Sequence, residues 1–137
     1  MIRKAEACDC AAIFSLAQAF ATSFAVQQPA FECAFAELLT HPEAFLAVAD
    51  EDREVAGYLL GFTHQTFFAS GRVAWVEEIM VSETHRRLGL GWRLMEAFEA
   101  WAQEQDVRMI ALATRRAAEF YTALGYEESA AYFRKVL

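Results

Sequence analysis

Apolar and polar positions follow two rhythms along this chain. Ile13, Leu16, Ala17, Phe20, Ala21 and Phe24 recur at helical spacing, which predicts an amphipathic helix. Asp9 suits its N-cap, and the pattern stops before Gln27-Gln28-Pro29. A second short helix, over 31–40, carries Phe31, Phe35, Leu38 and Leu39 and ends at His41-Pro42. The rhythm then tightens. Phe45 to Ala49 reads as a strand, Asp50 to Arg53 as a polar turn, and Glu54 to Thr66 as the partner strand. Ser70-Gly71-Arg72 predicts the next turn and Val73 to Val81 a third strand of this series.

After Val81 the helical period returns. A Gly-bearing loop at 86–91 leads into a helix with Leu90, Leu94, Phe98 and Trp101 on one face. Val107 to Ala113 reads as a buried strand, 117–124 as a short helix ended by Gly125, and Ala130 to Val136 as a last strand. Hairpin-linked strands followed by strand–helix–strand–helix–strand predict an α+β fold. Its centre is a mixed, mostly antiparallel, twisted sheet flanked by helices, with one parallel β-α-β crossover. No repeat, linker or low-complexity tract divides the chain, so residues 1–137 are expected to form a single domain.

Composition narrows the function. With 56% hydrophobic and 14% aromatic residues, the 137-residue chain can build a core without disulfides or a structural metal. No run approaches a membrane span; Val55 to Phe62 is interrupted by Gly57 and far too short. The net charge of −7 argues against a nucleic-acid binder. That charge is uneven: residues 1–68 are the acidic part, whereas most of the Arg lies in 69–137. A cationic partner would suit the first part and an anionic ligand the second. Cys8, Cys10 and Cys33 form no CxxC pair and have no His at ligand spacing, so no metal is expected. Reduced thiols fit a cytoplasmic protein. Glu6 and Asp9 interrupt the Ala-rich start, which argues against a cleaved signal.

The stretch from Val81 to Trp92 carries the clearest chemistry. A strand delivers the chain into a loop containing Gly89 and Gly91, and that loop opens a helix. The first N–H groups of a helix lack intrahelical partners and sit at the positive end of its dipole, which suits a phosphate or pyrophosphate. Arg86 and Arg87 add charge. The loop has no Gly-Lys-Ser/Thr, and it lacks the third glycine of a dinucleotide fingerprint.

Arg86-x-x-Gly89-x-Gly91 after a strand resembles the acetyl-CoA loop of the GCN5-related N-acetyltransferase (GNAT) family. Downstream, Ala117-Ala118-Glu119-Phe120-Tyr121-Thr122-Ala123-Leu124-Gly125-Tyr126 resembles that family's second signature, a helix with a Phe-Tyr pair ending in Leu-Gly-aromatic. The resemblance covers residues 73–126 closely and the whole chain in order of elements. It implies a GNAT-like fold and acetyl-CoA as co-substrate. Backbone amides of Arg87, Leu88, Gly89, Leu90, Gly91 and Trp92 would hold the pyrophosphate. Ile79, Met80 and Val81 would pair with the pantetheine arm, and Tyr121 would stand beside the CoA sulfur. The family often has Asn where this chain has Thr114, a departure that leaves one hydroxyl in place of an amide for a CoA contact there. Arg115 and Arg116 follow, within reach of phosphates or free in solvent.

Transfer to an amine needs the amine neutral, although an alkylammonium resembles Lys, with a pKa of about 10.4. A carboxylate that accepts the proton is therefore useful, and Glu77-Glu78 lies on the strand before the loop. Alternation sends the two side chains to opposite faces. Glu77 is favoured because it shares a face with Ile79 and Val81 in an unbulged strand; a bulge near Ile79 weakens that choice. Tyr121 is the expected acid toward the departing thiolate. His64 and His85 fall in no motif position. Phe62, Phe67, Phe68 and Trp75 suit a pocket wall, a core or a dimer surface.

The reading is an acetyl-CoA-dependent N-acetyltransferase acting on a primary amine, with a lean toward a cationic acceptor, by direct transfer in a ternary complex. A homodimer is a reasonable assembly. The alternative is a catalytically silent acyl-CoA-binding sensor or assembly module. A flavin or nucleotide binder using the same loop is a third reading.

Overall fold

The computed structural model describes residues 1–137. Five strands form one sheet in the order β1 (Ile2–Lys4), β2 (Ala44–Glu51), β3 (Glu54–Thr66), β4 (Gly71–Val81) and β5 (Ile110–Leu112). The first four pair antiparallel and β5 joins β4 in parallel. Helices α1 (Cys10–Phe20) and α2 (Gln28–Leu39) precede β2; α3 (Leu90–Glu104) makes the crossover, and α4 (Ala118–Ala123) follows β5. The mixed, mostly antiparallel sheet with four α-helices is the layout expected from the sequence. No helix is long and apolar enough to cross a membrane.

Strand alternation sorts the core into two layers. Leu46 and Val48 of β2 and Tyr58 and Leu60 of β3 face one way, onto Ile13, Leu16 and Ala17 of α1 and Phe35 of α2. Ala49 and Leu59 face the other way, onto Leu90, Leu94, Met95, Phe98 and Ala102 of α3. Both faces are covered, which is why Val55 to Phe62 is nearly continuous in apolar residues.

Gly61 is fixed by this packing. A Cβ there would stand 2.7 Å from Phe98 Cζ and 3.0 Å from the Trp75 carbonyl oxygen. Phe98 has little freedom to yield, since its ring lies 5.4 Å from Phe45 and 5.6 Å from Trp101. Gly61→Ala is therefore expected to lower stability by about 1–3 kcal/mol through overpacking. A urea midpoint against wild type checks this.

The N-terminus differs from expectation. Ile2–Lys4 pairs with Ala47–Ala49 as an edge strand that three residues are too few to announce. Asp9 gives α1 no side-chain cap. It is 3% exposed, takes two bonds from Arg3 (Nη1 at 2.8 Å, Nη2 at 2.9 Å) and a third from the Glu6 N–H at 2.7 Å. Arg3 reaches on to Asp50 at 3.0 Å, so one guanidinium ties β1 to α1 and β2.

The Arg3 bonds hold the Asp9 carboxyl below its ordinary value, with burial opposing. A depressed carboxyl adds stability above its unfolded pKa of ~3.9, and loses it as pH falls through the folded value. Asp9→Asn is expected to destabilise at neutral pH, and the gap from wild type should close below roughly pH 3.9. Urea titrations at several pH values measure that gap.

Other boundaries shift modestly. Helix α1 ends at Phe20, while α2 begins at Gln28 because Pro29 fits a first helical turn. The β3–β4 turn falls at residues 67–70, and β4 already begins at Gly71. Strand β5 is shorter than expected. The predicted last strand over Ala130 to Val136 is not formed; residues 126–137 have no regular structure. A strand needs a neighbour to bond with, and this segment makes none of the chain's backbone hydrogen bonds beyond Tyr126.

Candidate active site

The loop between β4 and α3 is shaped by two left-handed residues, Arg87 at φ 69° and Gly89 at φ 75°. Gly89 is needed for its backbone angle, because a Cβ there would meet nothing within 4 Å. At Gly91 a Cβ would lie 3.4 Å from Phe120 Cζ and 3.9 Å from Val81 Cγ2. Those are ordinary contact distances, at the point where the start of α3 packs against β4 and α4. The helical ladder begins with the Arg93 N–H donating to Gly89 O at 3.1 Å. The N–H groups of Leu90, Gly91 and Trp92 precede that bond and have no intrahelical partner, the kind of helix start that suits an anion.

The side chains around this start are open to solvent. Arg86, Arg87 and Leu88 are exposed, with Arg86 Nε 3.4 Å from Val81 O. Trp92 is partly exposed and donates to Glu96 at 3.1 Å. His85 sits at the loop's base between Thr84 at 3.0 Å and Glu54 at 3.6 Å, a supporting position.

The sheet opens beside this loop. Parallel pairing between β4 and β5 covers only Ala74–Val76 against Ile110–Leu112. Past Val76 that pairing stops, so Ile79, Met80 and Val81 have no β5 partner while β3 holds their other edge. An extended arm carrying amide groups can hydrogen-bond along such an edge.

A bulge decides how the two glutamates sit. Leu60 pairs with Glu78 but Gly61 pairs with Val76, so Glu77 is the extra residue on β4. Ala74 and Val76 face α3 before it, and Ile79 and Val81 face α3 after it. The unbulged strand on which the preference for Glu77 rests is therefore not the one present. Glu77 is exposed, whereas Glu78 is half-buried and its Oε1 accepts from the Tyr58 hydroxyl at 2.6 Å. Tyr58 is 2% exposed, and burial, followed by the charge and hydrogen bond of Glu78, raises its pKa. It stays a phenol and a standing donor to Glu78. Sequence reasoning passed over Tyr58, although a hydroxyl inside an apolar strand signals a required partner.

Tyr121 approaches from the other face. It belongs to the α3-side core and packs edge-on against Phe120 at 5.0 Å and Tyr126 at 6.0 Å. It is 7% exposed, and its hydroxyl has no protein hydrogen-bond partner, yet no buried side-chain polar atom of the chain is unsatisfied. The phenol tip therefore reaches solvent while the ring is held. Burial raises its pKa, which keeps the proton on at neutral pH. Tyr126 supports it from Gly125 (φ 96°), donating to Glu99 at 2.7 Å.

The remaining candidates spread apart. Thr114 is exposed and accepts the Ala117 N–H at 3.1 Å, closing the turn before α4. Arg115 and Arg116 lie exposed in that turn. The aromatic set divides: Phe62 packs on the α1–α2 layer, Trp75 pairs with it across the strands, and Phe67 and Phe68 project into solvent. His64 is exposed on β3.

A glycine-bearing loop that opens a helix, parallel strands whose pairing ends at Val76 and Leu112, and the buried Tyr121 of α4 stand together in one fold. Residues 10–126 match the model of the acetyltransferase (GNAT) family. The chain belongs to the GNAT family. Solved structures agree on the fold of this GNAT chain. A transcriptional regulator from Bacillus halodurans is 21% identical, with a TM-score of 0.89 over 100% of this chain and 99% of its own. Glucosamine-6-phosphate N-acetyltransferase from Arabidopsis thaliana is 18% identical, with a TM-score of 0.88 over 99% and 97%. An aminoglycoside 6'-N-acetyltransferase from Acinetobacter haemolyticus is 19% identical, with a TM-score of 0.78 over 100% and 99%. Family and fold together support acyl transfer as the general chemistry of this GNAT site.

Proposed function

We propose that this chain is an acetyl-CoA-dependent N-acetyltransferase that moves the acetyl group to a primary amine of a small molecule or peptide in a ternary complex. The observation that carries this reading is the end of β4–β5 pairing at Val76↔Leu112, which leaves Ile79 to Val81 unpaired on that side, with Tyr121 on one face of the sheet and Glu78 on the other. The N–H groups of Leu90, Gly91 and Trp92 would take the pyrophosphate, with Arg86 and Arg87 adding charge. Ile79, Met80 and Val81 would bond the pantetheine arm along the open edge. The thioester would then lie where both functional side chains can address it.

In the reaction, the amine nitrogen bonds to the thioester carbonyl carbon and the carbon–sulfur bond breaks. Glu78 takes the amine proton, directly or through a water, and Tyr121 gives its proton to the departing thiolate. An N–H near Ile79 to Val81 would stabilise the oxyanion. Glu78 is preferred to Glu77 because Tyr58 fixes its position.

Thiol release from acetyl-CoA across an amine panel, with calorimetric CoA binding, tests the reading. Binding with turnover on one amine class is the expected result, and the acidic first half of the chain favours a cationic amine. Binding without turnover on the full panel would favour the silent acyl-CoA module. No CoA binding would overturn both.

A further inference from the structure

We propose that the acceptor site takes an arylalkylamine, its nitrogen at Glu78 and its ring on Trp75 and Phe62, with Trp75 as the residue that selects it. The proposal rests on the acyl-transfer reading above and names the substrate class of that same site. Leu60 pairs with Glu78, Phe62 with Trp75 and Tyr58 with Met80, and directly opposed residues of two strands share a face. Leu60, Phe62, Tyr58 and Met80 pack on the α1–α2 layer, so Trp75 and Glu78 stand on that face as well. Three residues apart, those two would point to opposite faces of a regular strand. The extra residue at Glu77 brings them onto one face, two pairing positions apart, or about 7 Å along the strand. An amine joined to an aromatic ring by two methylenes spans that interval.

The face is open where an acceptor has to reach it. Trp75, Glu78 and Met80 are half-buried. The β5 residue beside Trp75 is Ala111, whose methyl covers little of the indole, and past Val76 no β5 residue pairs with β4.

The surroundings select against other amines. Tyr58, Leu60, Phe62, Trp75 and Met80, the strand positions around Glu78 on this face, carry no charge, so Glu78 is the one carboxylate among them. A polyamine or aminoglycoside would bring several ammonium groups to an apolar wall that pairs one. A phosphate or carboxylate on the acceptor fares worse. Residues 10–40, which include both helices of this layer, hold Glu32 and Glu37 and no Lys, Arg or His. Arg134 reaches that layer at Ser23, exposed and past the end of α1. His41 lies edge-on to Phe62 at 6.1 Å, with its Nδ1 taken by the Glu43 N–H at 3.1 Å. An aromatic ring gains from stacking on the indole, and the ammonium gains from its π face.

The test has two arms, each comparing phenethylamine, hexylamine, spermidine and glucosamine-6-phosphate. Calorimetric binding to the protein loaded with CoA reads recognition without turnover, and thiol release from acetyl-CoA reads transfer. Phenethylamine is expected to bind about tenfold more tightly than any of the others, the size of one aromatic or cation–π contact. Trp75→Leu keeps apolar bulk and should raise KM for phenethylamine about tenfold, with hexylamine and acetyl-CoA little changed. Preference for spermidine or the sugar phosphate overturns the proposal, as does an unaltered phenethylamine KM in the Leu variant. Phenethylamine binding without thiol release upholds the site and overturns the acyl-transfer reading instead. Should the Leu variant fail to fold, the ranking of the four amines on the unaltered chain still decides.

Discussion

Tyr121→Phe is expected to lower kcat by about 10²–10⁴, the usual cost of removing a general acid, with little change in KM for acetyl-CoA. The substitution is unusually clean here. The ring keeps its packing on Phe120 and Tyr126, and the lost hydroxyl serves no protein hydrogen bond. Stability should therefore stay near wild type, which thermal unfolding will show. The pH profile offers a second check. Because burial raises the Tyr121 pKa, the acid form persists beyond the ordinary phenol value of ~10. Activity that falls on deprotonation of this group should fall only above that value. Full activity in the Phe variant would assign the thiolate's proton to water or another donor.

Glu78→Gln is expected to reduce kcat by a comparable factor of about 10²–10⁴ at neutral pH, and Glu77→Gln to change it little. The glutamine retains an oxygen that can accept from Tyr58, so positioning survives while the proton acceptor is lost. Raising the pH should partly restore the Glu78 variant, since more of the amine is then already neutral. Tyr58→Phe separates placement from proton transfer: it removes the 2.6 Å bond but leaves the carboxylate, and should cost less than Glu78→Gln. The reverse ranking, with Glu77→Gln the damaging change, would move the acceptor's proton to the bulge residue. Steady-state rates across the four proteins, at saturating acetyl-CoA, distinguish these outcomes.

Much of the framework was legible in the chain because it rests on local periodicity. Leu90, Leu94 and Phe98 announce α3 by spacing alone, and all three are buried beneath the sheet. Glu54 to Thr66 is recovered as β3 without a residue's difference. The loop glycines were visible as residues, but their separate reasons were not. Gly89 answers to its own backbone angle, whereas Gly91 lies in contact range of Phe120, distant in sequence and close only in space.

The amino-acid sequence by itself determined the order of elements from α1 to α4 and the two segments that resemble the family's signatures, since each depends on neighbours a few positions away. Only the tertiary structure decided which glutamate is held and which strand lacks a neighbour. The bulge at Glu77 exists in the register of β4 against β3, a relation between segments that neither segment carries alone. Tyr58 and Glu78 are 20 positions apart and become partners only through that register. The same holds at the C-terminus: Ala130 to Val136 has a strand's composition, but a strand is made by pairing, and no strand of the sheet pairs with it.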